Sequence, residues 1–276
     1  MLVELARWFF WLILYSFAGW VYESILCSIT QHKLVNRGFL NGPLCPIYGC
    51  GALVVILCLG RGAGGSVLSL FLSGAALCCT LEYLTSWLME KLFHARWWDY
   101  SHYRFQLNGR ICLAGAVAFG AMSVLILKVV HPWVADWTYR IPDAALLAIC
   151  AVLLVLLAAD TAVTVRAVLH LDQKLAEVQR SIDQLKEKLQ ADWKEDLQQR
   201  RGRLHDRGQR ILEQLEAHGE LWNSRLKELL SQHKLQERRM LRAFPKFQPT
   251  VNREALAAMK ARLEEWRKEK KEKGRR

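Results

Sequence analysis

Five long apolar runs, separated by short polar loops, decide most of what this chain can become. A membrane-spanning helix needs about 20 mainly apolar residues at 1.5 Å rise each. The segments at roughly 5–29, 43–60, 66–89, 110–130 and 143–168 meet that requirement. The second is short, bears Gly49 and Gly51, and has Gly42, Pro43 and Pro46 at its start, so it could begin as a re-entrant turn. The first run is too long for the apolar core of a signal peptide, and Glu4 spoils the basic leader. It reads as a span. The expected fold class is all-α: a polytopic membrane helix bundle of about five spans with a helical tail.

Charge separates the two parts near Val168. Residues 1–168 hold 11 Lys/Arg and 8 Asp/Glu, whereas the remaining 108 residues hold 27 and 18. About +9 of the +12 net charge therefore belongs to the tail. Loop 1–2 carries Lys33 and Arg37, and loop 3–4 carries Lys91, Arg96, Arg104 and Arg110. Loop 2–3 offers Arg61, loop 4–5 has Lys128 and Arg140, and the N-terminus has Arg7. Basic loops stay inside. Placing the richer loops in the cytoplasm also places the tail there, giving an N-out/C-in, multi-pass arrangement.

All eight cysteines lie in the apolar part, with no CxxC or CxxH spacing, so neither a metal site nor a disulfide scaffold is expected. Cys45 and Cys50, in CPIYGC, are the pair to watch. No cofactor motif appears.

The tail divides at 169–244 and 250–276. Leu171, Leu175, Val178, Ile182, Leu185 and Leu189 recur with 4-3-4-3-4 spacing, a heptad seam that would continue the fifth span. The seam breaks at Arg200-Arg201-Gly202-Arg203, and a looser stripe follows from Leu204 to Leu229. Pro245 and Pro249 end the helix. Asn252 then caps a short basic helix striped by Leu256, Met259, Leu263 and Trp266. The tail suits a helical partner, self-association, or a membrane-surface arm drawn to anionic lipid. A solvated hairpin folding on itself explains the same pattern. Interspersed Glu and Asp argue against nucleic acid.

Ionisable side chains inside spans are costly and tend to be functional or paired. Here they are Glu23, Glu82 and Asp160. In the expected topology each lies about 9–12 Å from the cytoplasmic end of its helix. The oppositely running second and fourth spans begin there with Pro43, Cys45, Pro46, Tyr48, Asn108 and Arg110. One polar layer, a cytoplasm-facing pocket, is expected, with Arg110 as counter-charge to Glu23 or Glu82. A Glu82–Arg110 pair could equally be a lock between helices with no substrate. The segment from Arg96 to Phe105 interleaves aromatic and charged residues and should form an interfacial rim.

Three stretches carry a family resemblance: FAGWVYES (17–24), NRGFLNGPLCPIYGCG (36–51) and LEYLTSWLMEKLFHARWWDYSHYRFQLNGRI (81–111). Together they resemble the bacterial ABC-transporter permeases of the CmpB-like, type IV kind, over roughly residues 5–168. The resemblance implies a permease in a bacterial plasma membrane. Its motif falls on Glu23, Arg37, Gly38, Asn41, Gly42, Pro43, Cys45, Pro46, Tyr48 and Gly49. It continues on Glu82, Tyr83, Glu90, Trp97, Trp98, Asp99, Tyr100, Gly109 and Arg110, with Asn108 the looser match. With Asp160, these supply the pocket candidates.

The chain has no GxxxxGK[ST] loop, so an ATPase would be a separate subunit. HExxH and GxSxG are absent too, and no catalytic residue is assigned. Two other classes stay open. One is a membrane-embedded enzyme acting on a lipid or lipid-linked phosphate, with Arg37, Arg96 and Arg110 gripping phosphate and Glu23, Glu82 or Asp99 as base. The other is an anchor or scaffold whose tail does the work.

Overall fold

A computed structural model of the chain describes residues 1–31, 36–62, 65–198, 239–240, 243–244, 247–249, 252–257 and 260–261. The chain forms two compact units. Met1–Val168 with Arg238–Phe247 makes the first, and Leu169–Glu237 with Gln248–Arg276 the second.

The first unit is a helix bundle: α1 (Leu2–Gln31), α2 (Pro46–Leu59), α3 (Val67–Phe93), α4 (Leu113–Leu125), α5 (His131–Tyr139) and the start of α6 (Asp143–Gln198). A π-helical turn, Ile126–Val130, joins α4 to α5. It lies just upstream of Pro132, with His131 between; this proline lacks an N–H and crowds the carbonyl four residues back, within the turn. Four stretches are long and apolar enough to cross a membrane: Leu2–Ile29, Val67–Phe93, Leu113–Tyr139 and Asp143–Lys188.

The expected second span is the exception. At 14 residues α2 is only about 21 Å long, short of a hydrocarbon core of about 30 Å. Its helix cannot start earlier. Pro46 occupies the first helical turn, where a missing N–H costs nothing, and Pro43 keeps the residue before it out of helical conformation. Residues 36–45 instead run as an irregular segment beside the third quarter of α1. Lipid would leave such backbone unsatisfied, so protein groups satisfy it. Cys45 N donates to Ser16 O at 2.9 Å, Gly42 N to Asp160 at 2.8 Å and Asn41 N to Asp160 at 3.1 Å. The return leg is thus built from two pieces, a clamped segment and a short helix.

Side-chain contacts fix the directions. Arg7 meets Asp143 at 3.0 Å and Cys150 Sγ donates to Ala6 O at 3.3 Å, so α1 and α6 begin at the same end. Trp11 Nε1 donates to Thr138 at 2.9 Å and Tyr15 Oη lies 3.1 Å from His131, so α5 runs antiparallel to α1. At this Arg7 end Trp11, Tyr15, Ala52, Val55, Ile56, Leu70, Leu127 and Val134 form a packed core. Small residues let backbones approach: a Cβ on Gly74 would lie 2.3 Å from Ser123 Cβ, and one on Gly120 2.8 Å from Phe71 O. Outward, Leu68, Leu72, Leu88, Val117, Val152, Val155 and Leu156 are exposed, an apolar surface suited to lipid. Trp133, Trp137 and Tyr139 are exposed toward one end, and Trp87 and Tyr103 toward the other, as interfacial aromatics are.

In the second unit α6 continues from Leu169, with Leu171, Leu175 and Val178 of the predicted seam buried. Asn252 precedes a helical turn, its carbonyl accepting from Leu256 N at 3.2 Å. Lys186 pairs with Glu254 at 2.6 Å, and Ala255 N donates to Gln179 at 3.2 Å. The side chains of Leu185 and Leu189, the Arg200–Arg203 break, the stripe from Leu204 to Leu229, and Met259, Leu263 and Trp266 lie outside the described residues. Residues 238–247 belong with the membrane unit, because Arg239 and Phe244 find their partners there.

Candidate functional site

Opposite the Arg7 end, the bundle opens into a cavity of about 510 Å³. Its walls come from α1 (Tyr15, Gly19, Tyr22, Glu23), residues 37–55 and α3 (Glu82, Thr85, Met89). The loop after α3, α4 with the π-helical turn (Phe119, Met122, Ile126) and Phe244 complete them. Of the sequence candidates, Glu23, Arg37, Cys45, Tyr48, Glu82, Trp98 and Tyr100 line it, whereas Asn41, Tyr83, Asp99, Asn108, Arg110 and Asp160 do not.

The two carboxylates in its wall are held differently. Glu23 accepts from Tyr48 Oη at 2.7 Å and lies 3.7 Å from Arg37 Nε. Arg37 also donates to Ala243 O and stacks over the Phe244 ring at 4.9 Å. Glu82 is buried on α3, and among the described residues its one hydrogen bond comes from Tyr100 Oη at 3.2 Å. Burial pushes the Tyr100 hydroxyl well above its ordinary value, so it stays a neutral donor.

The expected pairing of Arg110 with Glu23 or Glu82 is not formed. Arg110 Nη2 meets Glu90 at 2.7 Å and Nη1 meets Ser86 at 3.3 Å. Ser86 and Glu90 follow Glu82 by one and two turns of α3, so the guanidinium lies farther along the helix. Arg96 reaches the same Glu90 at 3.2 Å. That position is closer to water, where a pair costs less to desolvate. With Arg96 and Arg110 on Glu90 and Arg37 on Glu23, the three guanidinium groups do not converge on one phosphate-sized site.

The remaining candidates build the walls. Asp160 clamps the 36–45 segment through Asn41 and Gly42, and Thr164 reinforces it by accepting from Asn41 Nδ2 at 3.0 Å. Asn108 and Gly109 take positive φ, 52° and 68°, at the centre of a tight turn closed by Arg110 N to Leu107 O at 3.0 Å. Both central residues of such a turn need left-handed backbone, which Asn and Gly tolerate best. A Cβ on Gly109 would also lie 2.7 Å from Asp99 Oδ1. Asp99 caps its own loop, accepting from Ser101 N at 2.9 Å and Ser101 Oγ at 2.8 Å. These bonds hold its carboxyl below the ordinary value. Trp98 Nε1 donates to Arg110 O at 3.1 Å, and Asn108 Nδ2 to Tyr83 Oη at 3.0 Å. The RWWDYS and NGR stretches therefore make one folded rim.

Sequence reasoning missed the aromatic mouth. Trp97 is ringed by Phe39 at 5.0 Å, Phe244 at 5.1 Å and Phe247 at 5.3 Å. Arg239 donates to the carbonyls of Gly38, Phe39 and Leu40 at 2.7–3.0 Å. The phenylalanines flanking Pro245 were a signal: exposed aromatics beside a helix break need somewhere to go. No group of three or more His, Cys, Asp or Glu placed to hold a metal occurs among the described residues.

No curated protein and no solved structure matches the chain. A family model described as "Putative ABC-transporter type IV" matches residues 10–165, more than half of the 276, from within α1 through α5 and into α6. The chain is a multi-pass membrane protein and belongs to that ABC-transporter family.

Proposed function

We propose that the cavity is the substrate site of a membrane transport subunit, and that a separate ATPase drives it. The carrying observation is the cavity itself. Its volume falls within the roughly 300–1,000 Å³ of small-molecule sites, and mainly apolar walls surround a few converging polar groups. The family supports the transport reading, and the absence of a phosphate loop in the sequence supports a partner ATPase. Loop charges support a cytoplasmic position for the Trp97 end and tail in a bacterial plasma membrane, because the richer basic loops lie at that end. The rim between α3 and α4 is then the natural ATPase contact. The seam from Leu171 to Leu189 supports a helical partner or a second copy through the tail.

A cavity-filling change tests this reading. Thr85 faces the cavity, so Thr85→Trp has room for its ring. The variant should insert and stay folded in detergent, yet fail to restore a strain lacking the native copy. Full restoration with the cavity filled would contradict a substrate site there.

A further inference from the structure

We infer that the cavity takes a lipophilic organic cation, with the Glu82 carboxylate as its counter-ion; the inference rests on the substrate-site reading above. Three of the described lining residues carry charge: Glu23, Arg37 and Glu82. Glu23 and Arg37 answer each other at 3.7 Å. Glu23 also receives the Tyr48 hydroxyl, at the N-terminus of α2, whose partial positive charge favours an anion. That corner is balanced. Glu82 has neither arrangement. It is 7 % exposed, has one neutral donor, and forms no ion pair among the described residues. The Arg110 guanidinium on the rim is engaged by Glu90 and Ser86. With Glu82 ionised, the wall holds one negative charge in excess, and that charge has no cationic partner among the described residues.

The surrounding surface selects the rest of the ligand. Tyr22, Phe39, Phe93, Trp97, Trp98 and Phe119 all face the cavity. Aromatic faces attract cations, most strongly where water is excluded, and also accept apolar or aromatic groups. An anion would meet two carboxylates, with Arg37 held by Glu23 and by Ala243 O. A neutral lipophile offers the carboxylate no partner, whereas a cation beside it favours its charged form. A delocalised cation with apolar substituents satisfies both features.

Full-length protein in detergent, titrated calorimetrically with tetraphenylphosphonium and then with tetraphenylborate, tests this inference. Glu82→Gln keeps the shape and the Tyr100 bond while removing the charge, and in identical micelles it cancels partition into detergent. Wild type should bind tetraphenylphosphonium saturably. Glu82→Gln should bind it about tenfold more weakly, or worse, while eluting as a folded species. Tetraphenylborate binding should not weaken in the variant. Equal tetraphenylphosphonium binding by wild type and folded Glu82→Gln, or no saturable binding by wild type, overturns the cationic class. If Glu82→Gln does not fold, Thr85→Trp takes its place: lost phosphonium binding with borate binding no tighter in wild type supports the inference, and retained phosphonium binding overturns it. The failure of Thr85→Trp to impair the cell, by contrast, would remove the substrate site itself.

Discussion

Gly49 and Gly51 lie two residues apart on α2 and meet opposite surroundings. A Cβ on Gly49 would be 2.3 Å from Ser16 Oγ and 2.4 Å from Leu12 O, whereas on Gly51 its nearest neighbour would be 3.8 Å away, on Leu81. One face of the short helix is pressed against α1, and the other looks into the cavity. The same contrast runs through the bundle. Toward the Arg7 end Trp11 pairs with Thr138, Arg7 with Asp143, and apolar side chains interlock in the core around Val55. Toward the Trp97 end, two carboxylates border open space. Packing defects are expensive where interiors are close-packed, so an opening of this size beside a tight core suggests selection for something besides stability.

The largest expected effect comes from setting the two glycines against each other. Gly49→Val should cost about 3 kcal/mol or more, because a backbone carbonyl is among the clashing atoms. Gly51→Ala should instead stabilise by about 0.5–1 kcal/mol, since alanine suits a helix better and the space is free. Thermal midpoints of the two variants in one detergent decide this. Similar losses in both would mean that the two faces of α2 are equally packed.

Arg239 comes next. Its guanidinium holds the carbonyls of Gly38, Phe39 and Leu40, so Arg239→Met should cost about 2 kcal/mol and expose residues 36–45 to protease. A chain ending near Val168 lacks this contact entirely. It should still insert on the strength of its apolar helices, but with a lower midpoint than Arg239→Met. Equal stability of wild type and variant would remove Arg239 from the architecture of the mouth.

The smallest effect concerns the rim. Asp99 is held below its ordinary value of 3.8 by Ser101, so its contribution is present above that value and fades as pH falls through the lower folded one. The group is half-buried on a rim that water reaches, and solvent screening keeps the effect small. Trp98 fluorescence should follow a slight loosening of the rim in acid, and Asp99→Asn should flatten that response. An unchanged acid response in the variant would assign the loosening elsewhere.

Much of this arrangement was legible in the sequence, because lipid imposes simple rules. Apolar length located the long spans, and the cost of intramembrane charge singled out Glu23, Glu82 and Asp160. What did not follow was who pairs with whom. Arg110 is near Glu82 in the chain's polar layer, yet long side chains reach along a helix as easily as across, and Glu90 wins. Asp160 looked like a pocket residue and proves to be a backbone clamp, because the non-helical segment it serves has no periodic signal. The places of Arg239, Phe244 and Phe247 were equally hidden: a few residues beyond a charged tail have too little pattern to announce their partners.

The most direct test of an open end beside a closed one is thiol reactivity. In a chain with its eight cysteines replaced, Thr85→Cys and Val134→Cys place one thiol in the cavity wall and one in the packed core. With a small soluble reagent, the cavity position should react roughly tenfold faster or more, since a close-packed core admits little solvent. Equal rates at the two positions, or a silent Thr85→Cys, would contradict an open, ligand-accessible cavity.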